Sequence, residues 1–278
     1  MGGLNGEAEV TMKLGISIRN MGPQSSREII SDCAITADRA GLDSLWITEH
    51  IAIPPDDAEG SGGRYLDPLI TLSYLAGKTE QINLGTGVLI LPYRPPLVTA
   101  KLIATLQELA EGRLKLGVGI GWMRSEFKAL GIDLRKRVSD SERILQFLHD
   151  AFDNDVVTQH GQPFIFSPRP MRPPILVGGA APHAIRRAVK YGDGWMPMGL
   201  KPDVLKPIVE DYKTQTKEAG KPDPEIVVMS GLPLNDLERC REILEAYQDA
   251  GATTVIHGQK YDEAIELQDA IGQLALMT

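Results

Sequence analysis

The sequence predicts an α/β fold, a (β/α)₈ TIM barrel with one insertion, and three observations lead to this prediction. Short apolar runs alternate with amphipathic helical stretches about eight times along the chain, and such regular alternation implies a parallel sheet. The length of 278 residues suits a barrel domain, for which about 250 residues is typical. The residues able to perform chemistry follow the ends of the predicted strands, where barrels build their active sites.

Eight short apolar runs are predicted as the strands of the barrel. Each has the length of a strand and lies between residues that favour turns. In chain order they are residues 13–18, 44–48, 82–88, 113–119, 174–178, 194–197, 225–230 and 253–257.

Nine helices are predicted from the spacing of apolar residues and from the residues that end each segment. Residues 26–40 carry apolar side chains at a helical spacing, and Gly41 ends the segment. Residues 97–109 place apolar side chains along one face, and Gly112 caps this helix; the side chains are Leu102, Ile103, Leu106 and Leu109. The other predicted helices are residues 67–78, 125–130, 140–152, 182–191, 203–219, 237–250 and 262–275.

Three further segments complete the predicted organisation. Residues 52–66 are rich in proline, glycine and aspartate. A connection this long and irregular favours a loop over the active site. Residues 153–173 combine prolines with alternating apolar side chains, which predicts an insertion after the fourth strand that contains a small hairpin. Residues 1–12 are predicted as a disordered leader, with Met12 as a candidate natural start, before a single domain over residues 13–278.

Composition argues against several classes of function. A net charge of −8 disfavours a nucleic-acid partner. No apolar run approaches the ~20 residues that span a bilayer, and the first residues do not form a signal peptide, so we expect a cytoplasmic protein. Cys33 and Cys240 lie in predicted helices without metal or redox spacing, which predicts two buried thiols. The first strand lacks the His-x-His pair of metallohydrolase barrels, so no metal is expected.

The second predicted strand leads into Thr48-Glu49-His50, which supplies the catalytic candidates. Histidine can hydrogen-bond to a ligand or exchange a proton with it, because its ordinary pKa of about 6.5 lies close to neutrality. Glu49, the adjacent carboxylate, is expected to orient the ring of His50. The alternative is a histidine packed against the loop with a satisfied backbone partner.

Glycines interrupt the third predicted strand, in Leu84-Gly-Thr-Gly-Val-Leu-Ile-Leu-Pro92. Glycine within a strand indicates a bulge or a close backbone approach. A flat ligand ring would find room on such a stretch. The alternative is that Gly85 and Gly87 only relieve crowding inside the barrel.

The fourth predicted strand ends in Gly117-Val-Gly-Ile-Gly-Trp122. The spacing is not that of a dinucleotide fingerprint. The run instead predicts a pocket floor at Gly121 with Trp122 as an aromatic wall. Arg124 and Glu126, which open the next helix, have an ordinary explanation as a surface partner and an N-terminal charge.

The turn Gly178-Gly179-Ala180-Ala181 precedes the helix predicted to begin at Pro182. Its glycines let backbone amides converge, and the helix N-terminus adds a partial positive charge, which makes a site for phosphate. The alternative is ordinary capping by proline in the first helical turn. Trp195, in the sixth predicted strand, either lines a cofactor pocket or packs in the barrel core.

The sequence supplies a phosphate cradle, glycine platforms and one well-placed histidine, but no evident nucleophile, so a cofactor is expected to bring the reactive chemistry. Its motifs resemble the bacterial luciferase-like family of flavin- and deazaflavin-dependent oxidoreductases. The best match within that family is to the subgroup assigned to coenzyme F420. The matching segments are residues 41–50, 65–68, 84–92, 112–122, 177–179 and 191–195.

The resemblance implies that the barrel holds coenzyme F420, or alternatively FMN, at its C-terminal mouth. In relatives a non-prolyl cis peptide backs the ring, and it maps onto Gly87-Val88. His50 would touch the ring or its hydride partner, and the Gly178-Gly179-Ala180-Ala181 turn would hold the ribityl phosphate. The other expected cofactor-binding residues are Thr86, Gly121, Trp122 and Trp195. Relatives often form dimers, so a homodimer is expected.

The function expected from the resemblance is hydride transfer between coenzyme F420 and a small organic substrate. One alternative is an FMN-dependent monooxygenase that uses reduced FMN and O₂, and another is a barrel that binds a flavin without catalysis. Sugar-phosphate dehydrogenases of the family carry an acidic residue where this chain has Trp122, which argues against their activity. Arg64, Tyr65 and Arg94 lie in loops that would meet a substrate.

Overall fold

A closed barrel of eight parallel strands forms the centre of the protein in the computed structural model, which describes residues 12–278. The described residues form eleven strands, of which β4, β6 and β7 lie outside the closed barrel. In chain order the strands are β1 (Lys13–Ser17), β2 (Ser44–Ile47), β3 (Asn83–Thr86), β4 (Leu89–Ile90), β5 (Leu114–Gly119), β6 (Val156–Gln159), β7 (Gln162–Ile165), β8 (Ile175–Gly178), β9 (Gly194–Met196), β10 (Glu225–Ser230) and β11 (Thr254–His257). The predicted leader lies outside the described residues, apart from Met12.

The barrel strands follow the order β3-β2-β1-β11-β10-β9-β8-β5, and pairing of β3 with β5 closes the ring. All of these pairings are parallel, so the carboxyl ends of the strands meet at one mouth. The predicted barrel is therefore confirmed. The predicted third strand differs in detail, because it breaks after β3 and resumes as the short β4, which pairs with β5.

Helices surround the barrel and bury their apolar faces against it. They are α1 (Arg27–Arg39), α2 (Pro68–Ala76), α3 (Pro96–Leu109), α4 (Arg124–Ala129), α5 (Arg137–Asp153), α6 (His183–Tyr191), α7 (Pro202–Glu218), α8 (Leu237–Asp249) and α9 (Ala264–Ala275). Side-chain caps start three of them, since Ser26, Asp67 and Asp236 each accept a hydrogen bond from a backbone N–H three residues later. Among residues 12–278, every helix is too short or too polar to span a bilayer.

The hairpin of β6 and β7 lies between α5 and β8, within residues 153–173 where alternating apolar residues predict one. Cys33 and Cys240 are buried free thiols, as predicted. Among the described residues, no cluster of histidine, cysteine, aspartate and glutamate is arranged to hold a metal ion.

Trp46 fills the interior of the barrel and explains one of the strand glycines. A Cβ atom on Gly85 would lie 2.2 Å from the Trp46 ring, so no larger residue fits there. Gly85 therefore relieves crowding, which was one of the two explanations for this motif, whereas Gly87 reaches the mouth. Around Trp46 pack the buried side chains of Leu176, Met196, Val227 and Ile256.

Candidate functional site

A cleft of about 430 Å³ opens at the mouth of the barrel, beside the carboxyl ends of β2, β3, β5 and β8. This size falls within the range of about 300–1,000 Å³ that is usual for small-molecule and cofactor sites. The residues that line it are Thr48, Glu49, His50, Gly87, Val88, Ile90, Gly119, Ile120, Gly121, Trp122, Arg137, Gly178, Gly179 and Met198. The barrel thus brings together predicted site residues that are up to 130 positions apart, from Glu49 to Gly179.

Val88 forms the floor of the cleft, and the peptide bond that joins it to Gly87 is cis, as the family resemblance implies. Two glycines on neighbouring strands make room for its side chain. A Cβ atom on Gly119 would lie 2.6 Å from Val88 Cγ2, and one on Gly178 would lie 3.0 Å from Val88 Cγ1. The glycines at the ends of β5 and β8 therefore let an apolar platform sit across the mouth.

His50 contacts a buried carboxylate, that of Glu126 in α4. The distance from His50 Nδ1 to Glu126 Oε2 is 3.0 Å, and Glu126 is only 1% exposed. The same Oε2 accepts a hydrogen bond from the Tyr93 hydroxyl (2.7 Å). Oε1 accepts from the backbone N–H groups of Ile51 (2.6 Å) and Ala52 (3.1 Å). Glu126 thus ties α4 to the loop that follows β2 and fixes the orientation of the His50 ring.

The hydrogen bonds to Glu126 determine its charge. Burial acts to raise the pKa of this carboxyl, but the donors from Ile51, Ala52, Tyr93 and His50 together outweigh it and hold the pKa below its ordinary value. Glu126 is therefore an anion at neutral pH and can only accept hydrogen bonds. Nδ1 of His50 must then carry a proton, which leaves Nε2 of the neutral ring free to accept one from a ligand.

Glu49 does not orient the His50 ring, so that prediction is wrong. Its buried carboxylate accepts a hydrogen bond from the Ile90 backbone N–H and forms an ion pair with Arg94. Neighbouring side chains of an extended segment point in opposite directions, which sends Glu49 towards β4 while His50 faces the cleft. Burial raises the pKa of Glu49 to about 7, against the opposing effects of Arg94 and the Ile90 N–H.

Trp195 and Thr86 were expected to contact a cofactor; both side chains are buried, and neither residue lines the cleft. Trp195 Nε1 donates a hydrogen bond to the Gly179 carbonyl (2.8 Å). Thr86 Oγ1 donates to the Gly117 carbonyl (2.7 Å). Their role is to fix the backbone of the mouth, so the core explanation for Trp195 is the right one.

Aromatic side chains surround His50. The Trp122 ring lies 6.1 Å from the His50 ring, edge to face, and is 71% exposed, so it forms the predicted aromatic wall. The Tyr65 ring lies 5.0 Å from that of His50 on the loop over residues 52–66. The other two loop residues expected near a substrate point elsewhere, since Arg64 donates to Ser25 Oγ and Arg94 pairs with Glu49.

The glycine turn after β8 adopts a conformation that requires glycine. Gly179 has a φ angle of +118°, which side chains rarely allow. Gly178 and Gly179 line the cleft, whereas Ala180 and Ala181 lead away from it towards α6, which begins one residue later than predicted, at His183. The predicted phosphate cradle is thus a two-residue turn.

Two charged residues of the site, Glu126 and Arg137, were not predicted from the sequence. Glu126 was explained as a helix N-terminal charge, although Phe127 beside it signals that this end of α4 is buried. Arg137 opens α5 and lines the cleft. Its Nε is buried, and no hydrogen-bond partner for this atom is found among the described residues.

Comparison with known proteins gives one family. The model of the luciferase-like monooxygenase family matches residues 12–275. An uncharacterised protein of Mycobacterium tuberculosis is 29% identical over 246 residues, which cover 81% of this chain and 83% of the relative. An F420-dependent glucose-6-phosphate dehydrogenase of Kineococcus radiotolerans is 32% identical over 177 residues, which cover 60% of this chain and 51% of that enzyme.

Two solved structures illustrate the breadth of this fold. An F420-dependent secondary alcohol dehydrogenase, in complex with an F420–acetone adduct, superposes with a TM-score of 0.78 at 16% identity and covers 96% of this chain and 98% of its own. The oxygenating constituent of 3,6-diketocamphane monooxygenase from Pseudomonas putida, in complex with FMN, superposes with a TM-score of 0.75 at 17% identity. The superposition covers 95% of this chain and 97% of that protein.

Proposed function

Because this chain belongs to the luciferase-like monooxygenase family, whose relatives use F420 or FMN, we propose that it transfers a hydride between coenzyme F420 and a small organic substrate. The observation that carries this proposal is the His50–Glu126 pair at the mouth of the barrel, 3.0 Å apart beside an apolar floor. A fixed histidine next to a flat platform suits a reaction in which a hydride and a proton leave the same substrate.

The residues of the cleft fit a flavin-like ring with an anionic side arm. Val88 offers an apolar surface on which a ring can rest, and Trp122 walls one side. The buried Nε of Arg137 has no partner among the described residues, and an anionic group on the ligand would satisfy it. We therefore assign the ring to Val88 and the phosphate to the Gly178-Gly179 turn opposite Arg137.

His50 is the proposed acid or base. The deazaflavin, when bound, accepts or supplies the hydride at its ring. For an alcohol substrate, Nε2 of His50 takes the hydroxyl proton as the hydride departs, and it returns the proton when a carbonyl is reduced. Glu126 keeps Nδ1 protonated and stabilises the imidazolium that forms. Trp122 and Tyr65 flank His50 and limit the access of water to it.

Sugar phosphates are not the proposed substrates. Trp122 occupies the position where the sugar-phosphate dehydrogenases carry an acidic residue. Glu126 lies four residues later in the sequence, but its four donors hold it as an anion. An anion with a lowered pKa is a poor proton donor at neutral pH, so it does not replace the missing acid.

Parallel fluorescence titration of the purified protein with coenzyme F420 and with FMN tests the proposal. We expect tight binding of F420 and weak binding of FMN, and turnover of an alcohol or carbonyl compound by the F420-loaded protein. The reverse preference, followed by oxygen uptake in the presence of reduced FMN, would move the protein to the alternative monooxygenase function. Binding of either cofactor without any turnover would indicate a barrel that only binds a flavin.

A further inference from the structure

A second cavity, of about 280 Å³, lies between α5 and α6, beside the cleft. We call it the basic cavity. The side chains that line it are Val138, Glu142, His183, Arg186, Arg187, Lys190 and Tyr191. Three of these side chains are permanent cations and only one is a carboxylate, in a chain whose net charge is −8. Such a local excess of positive charge attracts anions.

Arg187 is the central residue of the basic cavity. It is 7% exposed, and no hydrogen bond or ion pair within residues 12–278 involves its guanidinium. Burial strips part of the water from this guanidinium and lowers its pKa, an effect that the nearby Glu142 carboxylate only partly offsets. An anionic group in the cavity would supply hydrogen bonds to the guanidinium.

The basic cavity adjoins the turn that we assign to the phosphate. Arg187 Nη2 lies 4.0 Å from the position that a Cβ atom on Gly179 would occupy. On the other side, the consecutive residues Arg137 and Val138 line the cleft and the basic cavity respectively. A ligand chain that leaves the cleft past Gly179 therefore reaches Arg187 directly.

The remaining side chains at the rim are donors. Arg186 Nη2 and His183 Nδ1 lie 2.6 Å apart, so Arg186 donates and the ring accepts at Nδ1, which leaves the His183 Nε2–H as a further donor. Lys190 is exposed, and its ammonium lies 4.7 Å from the centre of the Tyr191 ring. The rim suits a flexible ligand with several carboxylates more than a single compact anion.

We propose that the basic cavity binds the carboxylates of a cofactor that continues beyond its phosphate. This inference rests on the proposed function. In coenzyme F420 the phosphate is a diester that leads into a chain of glutamates, whereas in FMN the phosphate is terminal. The basic cavity therefore selects the deazaflavin through its tail, away from the ring.

The test measures cofactor affinity by fluorescence titration with F420 that carries its glutamates, with F420 from which they have been removed, and with FMN. The variant is the double substitution Arg186→Gln and Lys190→Gln, since both side chains are exposed and their loss spares the fold. Lys206→Gln, an exposed lysine on α7, is the matched control. Arg187→Lys keeps the buried charge and tests whether the geometry of the guanidinium matters.

We expect the wild-type protein to bind the glutamate-bearing form more tightly than the tail-free form. The double variant should weaken binding of the glutamate-bearing form by about tenfold, as the loss of two partly exposed ion pairs predicts, and leave the tail-free form within about twofold. Lys206→Gln should change neither, and salt should remove the difference between the two forms.

Three results would overturn the inference. Equal affinity of the wild-type protein for both deazaflavins, or equal weakening of both in the double variant, would overturn it and leave the proposed function intact. Failure of the protein to bind any deazaflavin would overturn both.

Discussion

Substitution of Glu126 by glutamine is the sharpest perturbation of the proposed site, because it keeps the shape of the side chain and removes its charge. Glu126 accepts four hydrogen bonds, two at each oxygen. If the amide oxygen of glutamine keeps the backbone donors of Ile51 and Ala52, its NH₂ group faces the Tyr93 hydroxyl and His50 Nδ1–H, which are both donors.

His50 can relieve this conflict only by changing its tautomer. Its Nδ1 would then accept from the amide, and Nε2, which faces the ligand, would carry the hydrogen. Nε2 could no longer take a proton, and the loss of general-base catalysis costs about 10²–10⁴ in rate. Two charge-assisted hydrogen bonds of about 1.5–3 kcal/mol each are lost, partly offset by rotation of the Tyr93 hydroxyl, so we expect a destabilisation of about 2–3 kcal/mol.

The assay compares kcat, KM and the dissociation constant of the cofactor for the wild-type protein and for Glu126→Gln. We expect kcat to fall by at least about 10², with the cofactor dissociation constant changed by less than threefold. Glu225→Gln is the matched control, because Glu225 pairs with Lys115 (3.0 Å) at the opposite end of the barrel and should affect stability alone. A Glu126→Gln protein that is folded and retains kcat within about twofold would refute the role of Glu126.

Three further substitutions probe the floor, the glycine turn and the buried ion pair. Gly119→Ala should displace Val88, since the added Cβ would lie 2.6 Å from it, and weaken cofactor binding about tenfold in a titration. Gly179→Val should weaken binding at least as much, because its φ of +118° excludes a branched side chain. Arg94→Met should destabilise the protein in urea unfolding by about 1–2 kcal/mol more at pH 8 than at pH 5, because Arg94 lowers the pKa of Glu49 and its loss makes the buried carboxyl costlier to ionise.

The pH dependence of the last prediction follows from the raised pKa of Glu49, about 7 in the folded protein. A carboxyl whose pKa is raised by folding is neutral below that value, so at pH 5 the missing arginine leaves no charge behind. Equal destabilisation at pH 5 and pH 8 would contradict this explanation.

Gly272→Ala is the control for both glycine variants, Gly119→Ala and Gly179→Val. Gly272 lies on the open face of α9, where an added Cβ meets nothing within 4 Å.

The barrel and the location of the cleft could be predicted from the sequence because both depend on local patterns. Apolar runs of strand length identify the strands, and parallel pairing places their ends together, so His50, Gly121 and Gly178 were correctly assigned to one mouth. This prediction does not require knowing which strand pairs with which.

The contacts within the site could not be predicted in the same way. Glu126 meets His50 only because α4 folds back across the mouth, over a separation of 76 residues. Glu49 was preferred for its adjacency, yet adjacency in an extended segment separates two side chains. Trp195 was open to two explanations, since a strand end alternates between the core and the mouth, and the register of β9 decides for the core.

A crystal structure of the protein soaked with coenzyme F420 would show where the cofactor binds. We expect the deazaflavin ring on Val88 beside His50 Nε2, the phosphate between Gly179 and Arg137, and the glutamate carboxylates at Arg187 in the basic cavity. A ring bound away from Val88, or a cleft filled by FMN in preference to F420 when both are supplied, would contradict the proposal.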